Sequence, residues 1–162
     1  MHSLLKSFAE WLENTPVPLF VSDYPWTYQI VQFTHFTGLS LWLGTNIGLD
    51  LHLLGVGPKR QTSAAQFLTM TIVWNWIGLF IAVLGGVTLF STAATTFIDN
   101  PAFETKIFAL LPIALIWHIV VQVKTYSWGQ TSDVPKVAKV AGAVEILLWF
   151  CVATAAVDIP YF

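Results

Sequence analysis

The sequence predicts an all-α fold, an integral membrane four-helix up-down bundle with an N-terminal amphipathic surface helix. Of the 162 residues, 56% are hydrophobic and only 10% are charged, whereas a soluble domain carries roughly 25% charged residues. Seven basic and nine acidic side chains cannot cover the surface of a soluble globule of this size. Four segments are also long and apolar enough for a bilayer crossing, which needs about 20 residues.

The four predicted spans cover residues 26–54, 64–97, 102–128 and 135–159. Glycine and proline at 55–58 end the first span, because both residue types interrupt helices. Pro101 suits the first turn of the third span, and Thr131, Ser132 and Asp133 are N-cap candidates for the fourth. The connections are short, so successive spans are expected to be antiparallel neighbours.

Residues 1–25 are predicted to form a separate unit, and residues 26–162 form the bundle. Apolar side chains recur at helical spacing near the start of the chain: Leu4, Leu5, Phe8, Trp11 and Leu12. Polar and charged side chains lie on the other side, and three prolines follow. This pattern predicts an amphipathic helix on the membrane surface and a proline-broken linker, whereas a secretory signal would have a continuous apolar core.

The orientation follows from lysine and arginine, which accumulate on the cytoplasmic side of a membrane protein. Five of these residues lie in or beside the first and third connections: Lys59, Arg60, Lys124, Lys136 and Lys139. Only Lys6 and Lys106 lie on the opposite side. We therefore expect a multi-pass protein of the bacterial inner membrane with both termini in the periplasm.

Composition excludes several function classes. The net charge of −2 argues against nucleic-acid binding, which needs a clustered basic surface. Cys151 is the single cysteine, so neither an internal disulfide nor a cysteine-ligated cluster can form within the chain. The sequence also has no nucleophile–base pair and no phosphate-binding glycine loop, so we do not expect a self-contained enzyme.

Polar side chains are concentrated in the first span, where each is costly unless it meets a partner or a cofactor. Gln32, His35, Trp42 and Asn46 share one helical face. For Gln32 and Asn46, hydrogen bonding to neighbouring helices is favoured. Asp50 is expected to form an ion pair with Lys59 and Arg60 at the inner membrane face.

Two histidines lie at membrane depth in different spans, His35 in the first and His118 in the third. Neutral imidazole is a common axial ligand of haem iron, and bundle cores hold such cofactors. Trp42 is an expected wall of the porphyrin site, and Lys106 is expected near its propionates. The alternative for either histidine is a hydrogen bond to a backbone carbonyl.

The depths of the two histidines differ by roughly 12 Å along parallel helices, so one haem held by both is not assured. Each histidine is therefore a candidate ligand of a separate haem. His52, near the cytoplasmic face, is a candidate ligand of a further haem or an exposed residue, and His2 is the weakest candidate. Glu145, central in the fourth span, is either proton-linked or a hydrogen-bonding group between subunits.

Several short motifs together resemble a largely uncharacterised family of small bacterial four-helix membrane proteins. They are Asp23-Tyr24-Pro25-Trp26, His35-Phe36-Thr37-Gly38-Leu39, Leu43-Gly44-Thr45, Asp50-Leu51-His52-Leu53-Leu54-Gly55 and Phe103-Glu104-Thr105-Lys106. Copper-resistance D-type proteins and membrane haem proteins of porphyrin synthesis are more distantly similar. The resemblance implies that His35 is the histidine of the family and a haem ligand.

The leading hypothesis from the sequence is a b-type haem protein that transfers or stores electrons. It would bind one or more haem b groups per protomer, work as a homo-oligomer in the lipid bilayer and meet an unknown redox partner. Two alternatives stay open. One is a metal-ion or proton transporter or channel subunit, and the other is a non-catalytic structural subunit of a respiratory complex.

Overall fold

The structure is a computed structural model that describes residues 2–56, 62–130 and 134–161. These residues form helices and no strands, so the predicted all-α class is confirmed. The α-helices in these ranges are α1 (His2–Glu13), α2 (Pro16–Asp23), α3 (Pro25–Leu54), α4 (Ala64–Ser91), α5 (Ala94–Ile98), α6 (Pro101–Thr105), α7 (Leu111–Trp128) and α8 (Lys136–Asp158). A π-helix, Lys106–Leu110, joins α6 to α7, and the 3₁₀ turn Ile159–Tyr161 follows α8.

Three helices in the described ranges are long and apolar enough to cross a membrane: Ala64–Ser91, Pro101–Trp128 and Lys136–Tyr161. Their outward-facing side chains include large exposed apolar groups such as Phe80, Ile116 and Phe150. Such a surface is suited to lipid rather than to water. Helix α3 has the length of a span but is not among the three, because polar side chains lie along it.

The four long helices contact one another and enclose two apolar clusters. Helix α3 packs along α4 and against α8, and α7 packs against α8 and α4. One cluster contains Trp42, Ala114 and Trp149. The other contains Leu49 and Val121, together with residues of α4 and α8. A layer of buried polar side chains occupies the helix turns between these two clusters.

Helices α3 and α4 approach so closely that their backbones touch. A Cβ atom added to Gly38 would collide with the backbone nitrogen of Ala82, and one added to Gly78 would lie 2.7 Å from the backbone nitrogen of Trp42. Small residues permit this approach in membrane helices, where packing rather than the hydrophobic effect holds helices together. The contact fixes the register of α3 against α4.

The predicted second span is too long at its C-terminal end. It was expected to reach residue 97, but α4 ends at Ser91 and α5 begins at Ala94. Ser91 and Thr92 donate their hydroxyl protons to backbone carbonyls of the preceding turn, at 2.7 Å each. Such bonds compete with helix continuation, and Ala93 leaves the helical conformation with φ −152° and ψ 42°.

The C-terminal end of the first span is as predicted, whereas the predicted start of the fourth span can be compared only in part. Gly55 ends α3 with a positive φ of 79°, as predicted for a glycine stop. Pro135 occupies the N-cap position of α8. The expected caps Thr131, Ser132 and Asp133 lie outside the described residues, as does the Gly57–Pro58 segment.

The N-terminal unit contains two helices rather than one helix and a linker. Pro16 begins α2, because proline is accepted in the first turn of a helix. Helix α1 packs against α5, where Lys6 Nζ lies 3.0 Å from Asp99 Oδ2. Glu13 Oε1 also accepts bonds from the backbone nitrogen (2.7 Å) and the hydroxyl (2.8 Å) of Thr95. The apolar face of α1 remains exposed.

Replacing Gly38 by alanine is expected to destabilise the protein, because the new methyl group would collide with the backbone of α4. Overpacking of this kind costs about 1–3 kcal/mol, measured as the free energy of unfolding in detergent. Gly44→Ala is the matched control, since a Cβ at Gly44 meets no atom within 4 Å. Equal stability of the two variants would contradict the close contact of α3 and α4.

Candidate functional site in the helix core

A connected set of polar side chains lies in the core between the two apolar clusters. His118 on α7 is fully buried, and its Nδ1 shares a short hydrogen bond with Glu145 Oε1 on α8. Its Nε2 lies 3.1 Å from Asn75 Oδ1 on α4. Asn75 Nδ2 in turn donates to Asn46 Oδ1 on α3. The set therefore joins all four long helices.

Asn75 is the centre of this arrangement. Its Oδ1 accepts from His118 Nε2 and from Gln122 Nε2, the latter at 2.9 Å. Its Nδ2 contacts Asn46 Oδ1 and Thr45 Oγ1, the latter at 2.8 Å. Asn75 is only 2% exposed, so these bonds replace the water that the amide would otherwise need.

The hydroxyl of Thr45 decides which way the Asn75 amide faces. Thr45 Oγ1 donates its single proton to backbone carbonyls of its own helix, with the oxygens of Leu41 and Trp42 both at 2.9 Å. Its oxygen can then accept from Asn75 Nδ2, which lies 2.8 Å away. In this orientation the oxygen of the amide faces His118, and His118 Nε2 donates a hydrogen to it.

This assignment limits the protonation states of the pair formed by His118 and Glu145. Because Nε2 is protonated, one further proton lies between Nδ1 and Glu145 Oε1. If this proton is on Glu145, the pair is a neutral imidazole and a carboxylic acid. If it is on His118, the pair is an imidazolium and a carboxylate. Both forms have zero net charge. A buried pair that gains or loses a proton becomes charged, which is costly in a dry core.

Tryptophan rings enclose the imidazole of His118. The ring centroid of Trp42 lies 4.6 Å from that of His118, and those of Trp76 and Trp149 lie 6.1 and 6.3 Å away. Trp42 was expected to form a wall of a porphyrin site. In the structure it fills the space beside His118 itself.

The residues do not fit a haem held by His118. One ring nitrogen faces Glu145 and the other donates to Asn75, so neither has a lone pair free for iron. His118 also lies level with Trp42, seven residues or about 10 Å along α3 from His35. Two imidazole nitrogens on one iron are only about 4 Å apart, since metal–imidazole bonds are about 2 Å long.

The geometry of His35 is different and fits an axial ligand. Its Nδ1 lies 2.6 Å from the carbonyl oxygen of Ala82, to which it donates a proton. Metal-ligating histidines are held in this way, with the second nitrogen directed to the metal. A Cβ added to Gly85 or Gly86 would lie 2.8 or 3.0 Å from His35 atoms, so these glycines give the ring its place. The hydrogen bond to Ala82 also serves as a helix contact.

The other candidate ligands are not brought to this cluster. His52 Nδ1 bonds the carbonyl oxygen of Gly48 at 2.8 Å, and its ring stacks on Phe67 with centroids 4.3 Å apart. Lys106 lies half-buried at the start of the π-helix. His2 begins α1, but its side chain lies outside the described part. The described ranges hold no group of three or more His, Cys, Asp or Glu side chains arranged for a metal ion.

Asp50 lies in the core, one turn from Asn46. It is 1% exposed, and neither carboxylate oxygen has a hydrogen-bond partner among the described residues. Gly142 on α8 lies beside it, since a Cβ there would be 3.4 Å from Asp50 Oδ1. Asp50 and Glu145 are close enough to interact electrostatically. The expected partners Lys59 and Arg60 fall outside the described residues.

The sequence interpretation did not identify Asn75 or Gln122. Asn75 lies between Trp74 and Trp76 in an apolar helix, and Gln122 follows His118 by one turn. A polar amide at membrane depth in each helix was the available signal. Their shared function as partners of His118 depends on helix register, which a sequence alone does not give.

Comparisons of the chain with protein-family models, curated proteins and solved structures find no match. The resemblance to a family of small four-helix membrane proteins therefore stays a prediction. The geometry of the core is the basis for assigning a function.

Replacing Asn75 by leucine is expected to lower the free energy of unfolding by roughly 2 kcal/mol or more. The change leaves buried polar groups of His118, Gln122 and Asn46 without partners, and each orphaned group costs about 1–3 kcal/mol. Thr69→Ala is the control on the same helix, because Thr69 is exposed and bonds only its own helix. Equal effects of the two substitutions would show that the Asn75 bonds do not hold the core.

Proposed function

We propose that the protein is an integral membrane protein in which α3 is a fourth span, antiparallel to α4. The buried side chains of α3 include the polar Asn46 and Asp50. Its exposed side chains include several large apolar residues: Trp26, Tyr28, Ile30, Phe33, Phe36 and Ile47. A helix that is polar inward and apolar outward suits lipid on one side and a polar core on the other. The lysine and arginine residues of the sequence favour a cytoplasmic position for the connection after α3 in a bacterium.

Within this bundle, the proposed function is reversible proton binding in the membrane core by a proton-coupled transporter or channel subunit. The observation that carries it is the pair formed by His118 Nδ1 and Glu145 Oε1, with His118 Nε2 held by Asn75. The pair holds one proton between two groups that both accept protons. Chains of histidine and acidic groups at membrane depth carry protons in pumps and transporters.

Asp50 supports this proposal, because a second carboxyl group lies next to the pair. An unpaired carboxylate costs several kcal/mol in a buried site, so Asp50 is expected to be neutral in this closed arrangement. The core then contains two carboxyl groups and an imidazole that can exchange protons. An arrangement built only for helix contact would not need three titratable groups in one layer.

The polar layer is closed in this structure, which favours a gated site over an open channel. The cluster containing Trp42 and Trp149 covers it on one side, and the cluster containing Leu49 and Val121 covers it on the other. Protons can then reach the pair only when helices move. Proton binding coupled to such a movement is the basis of a transporter.

Glu145→Gln tests the proposal, because glutamine keeps the volume and a hydrogen bond to His118 but cannot carry the proton. We expect the proton flux into liposomes that contain a pH-sensitive dye to fall to the rate of protein-free vesicles, with the unfolding temperature largely retained. Glu10→Gln, an exposed substitution on α1, is the control and should keep wild-type flux. If the Glu145→Gln variant keeps wild-type proton flux, Glu145 is not the proton-binding group.

His35 favours a second candidate function, the haem b protein expected from the sequence. The supporting observation is the bond from Nδ1 to Ala82, which directs Nε2 away from that carbonyl. A haem held there would use one ligand from this chain, with no part for His118. Iron would then supply the electron-transfer chemistry, while Ala82, Gly85 and Gly86 hold the imidazole in place.

Absorption spectra of the purified wild-type protein and of its histidine variants distinguish the two candidate functions. If His35 binds haem, His35→Ala is expected to lose the Soret band of the wild-type protein, whereas His118→Ala keeps it. Loss of the band in both variants at unchanged stability would place His118 at the iron after all. A colourless, iron-free wild-type protein would exclude the haem hypothesis and leave the proton proposal intact.

Homo-oligomer formation stays a prediction. The sequence predicts it because four helices cannot both enclose a large cofactor and bury every polar face. The described helices of one chain, however, bury Asn46, Asn75, Gln122 and Glu145 without a second copy.

A further inference from the structure

Among the residues that the structure describes, six buried polar side-chain atoms lack a hydrogen-bond partner, and all six belong to α3 and α8. Three are carboxyl oxygens: Oε2 of Glu145 and both side-chain oxygens of Asp50. Three are donors: Nε1 of Trp42, Nε1 of Trp149 and Nδ2 of Asn46. A buried polar group without a hydrogen-bond partner destabilises the fold, so we expect the site to contain a partner.

The spacing of these residues places them on facing surfaces. Trp42, Asn46 and Asp50 are four residues apart and occupy successive turns of one face of α3. Glu145 and Trp149 have the same spacing on α8. The two surfaces meet, since the Trp42 and Trp149 rings are 5.4 Å apart and Gly142 lies against Asp50. The unpartnered atoms therefore line one seam between α3 and α8.

From these unpartnered atoms we infer that ordered water occupies the seam between α3 and α8 and links Glu145 to Asp50. Water both donates and accepts, so it can pair with the three N–H donors and with the carboxyl oxygens, including one that carries a proton. A metal cation would satisfy the oxygens only and would leave the indole and amide donors of Trp42, Trp149 and Asn46 unpaired. The balance of donors and acceptors thus favours water as the ligand.

The water gives Asp50 a place in the proposed function, on which this part of the inference rests. A proton leaves the Asp50 carboxyl group for a water molecule as that water gives one of its own protons to Glu145 Oε2. One O–H bond breaks and one forms at each step. Asp50 becomes a carboxylate, the pair of His118 and Glu145 gains one positive charge, and the total charge is unchanged.

The direct test is a structure of the full chain in lipid nanodiscs at a resolution that shows ordered water. We expect density within hydrogen-bond distance of Glu145 Oε2 and of an Asp50 carboxylate oxygen. A seam without such density at both oxygens would overturn the inference. This measurement does not depend on proton flux. It therefore tests the bound water even if the protein is found not to transport protons.

A second test uses infrared spectra of the O–H stretch of internal water, recorded in ordinary water and in water enriched in oxygen-18. The wild-type protein is expected to show an isotope-sensitive band. Gly142→Ala should weaken that band, because the added methyl group would lie 3.4 Å from Asp50 Oδ1 and 3.3 Å from its backbone oxygen. Gly44→Ala is the control, since its methyl group meets open space, and it should keep the band.

Asp50→Asn separates the water from its use in proton transfer. If water links the two carboxyl groups, this variant should lose proton flux while Glu145 still exchanges its proton, seen as the carboxylic C=O band that Glu145→Gln removes. Unchanged flux in the Asp50 variant would overturn the assignment of Asp50. Absent flux in the wild-type protein would instead contradict the proposed function, and the nanodisc structure would still decide whether water is bound.

Discussion

The need to keep a polar layer neutral and hydrogen-bonded inside an apolar core is the constraint on which the rest of this structure depends. Each long helix brings at least one polar side chain to the layer, and Asn75 bonds partners on α3 and α7. Leaving these groups unpaired in lipid would cost several kcal/mol each. The relative register of the four helices is therefore fixed by polar bonds at one level, and apolar packing above and below follows from that register.

Two helix pairs are held together by different kinds of contact, one between backbones and the other between side chains. Backbones meet at Gly38 and Gly78, so α3 and α4 are in direct main-chain contact. Helix α7 meets α4 through side-chain bonds from His118 and Gln122 to Asn75. Side-chain bonds can be exchanged for water without moving a backbone contact, whereas separating α3 from α4 would break a main-chain contact.

Much of the fold was predictable from the sequence, because hydropathy and the glycine and proline residues control where long apolar helices run. The end of α3 at Gly55 follows from the freedom of glycine at positive φ. The break after Ser91 was missed, since it depends on hydroxyl groups bonding to the preceding turn. The π-helix Lys106–Leu110 was missed as well, and no residue pattern at that position signalled it.

From the sequence, the site was predictable only as individual polar residues at membrane depth and not as a connected set. His118 and Glu145 each stood out at membrane depth, but nothing in the sequence showed that they would share a proton. That depends on the register between α7 and α8, which long-range packing determines. Iron ligation was the more familiar explanation for a buried histidine, and it requires a free ring nitrogen. The two protein partners of His118 are what exclude it there.

The bonds made by each ring also explain why we assign different chemistry to the partly buried His35 and the fully buried His118. His35 uses one nitrogen on a carbonyl that cannot titrate, so its second nitrogen keeps a fixed tautomer suited to a ligand. His118 uses one nitrogen on an amide oxygen and the other on a carboxyl group that exchanges protons. A histidine whose two ring nitrogens both face protein groups is the basis of the proposed proton site, whereas His35 keeps one nitrogen for a ligand.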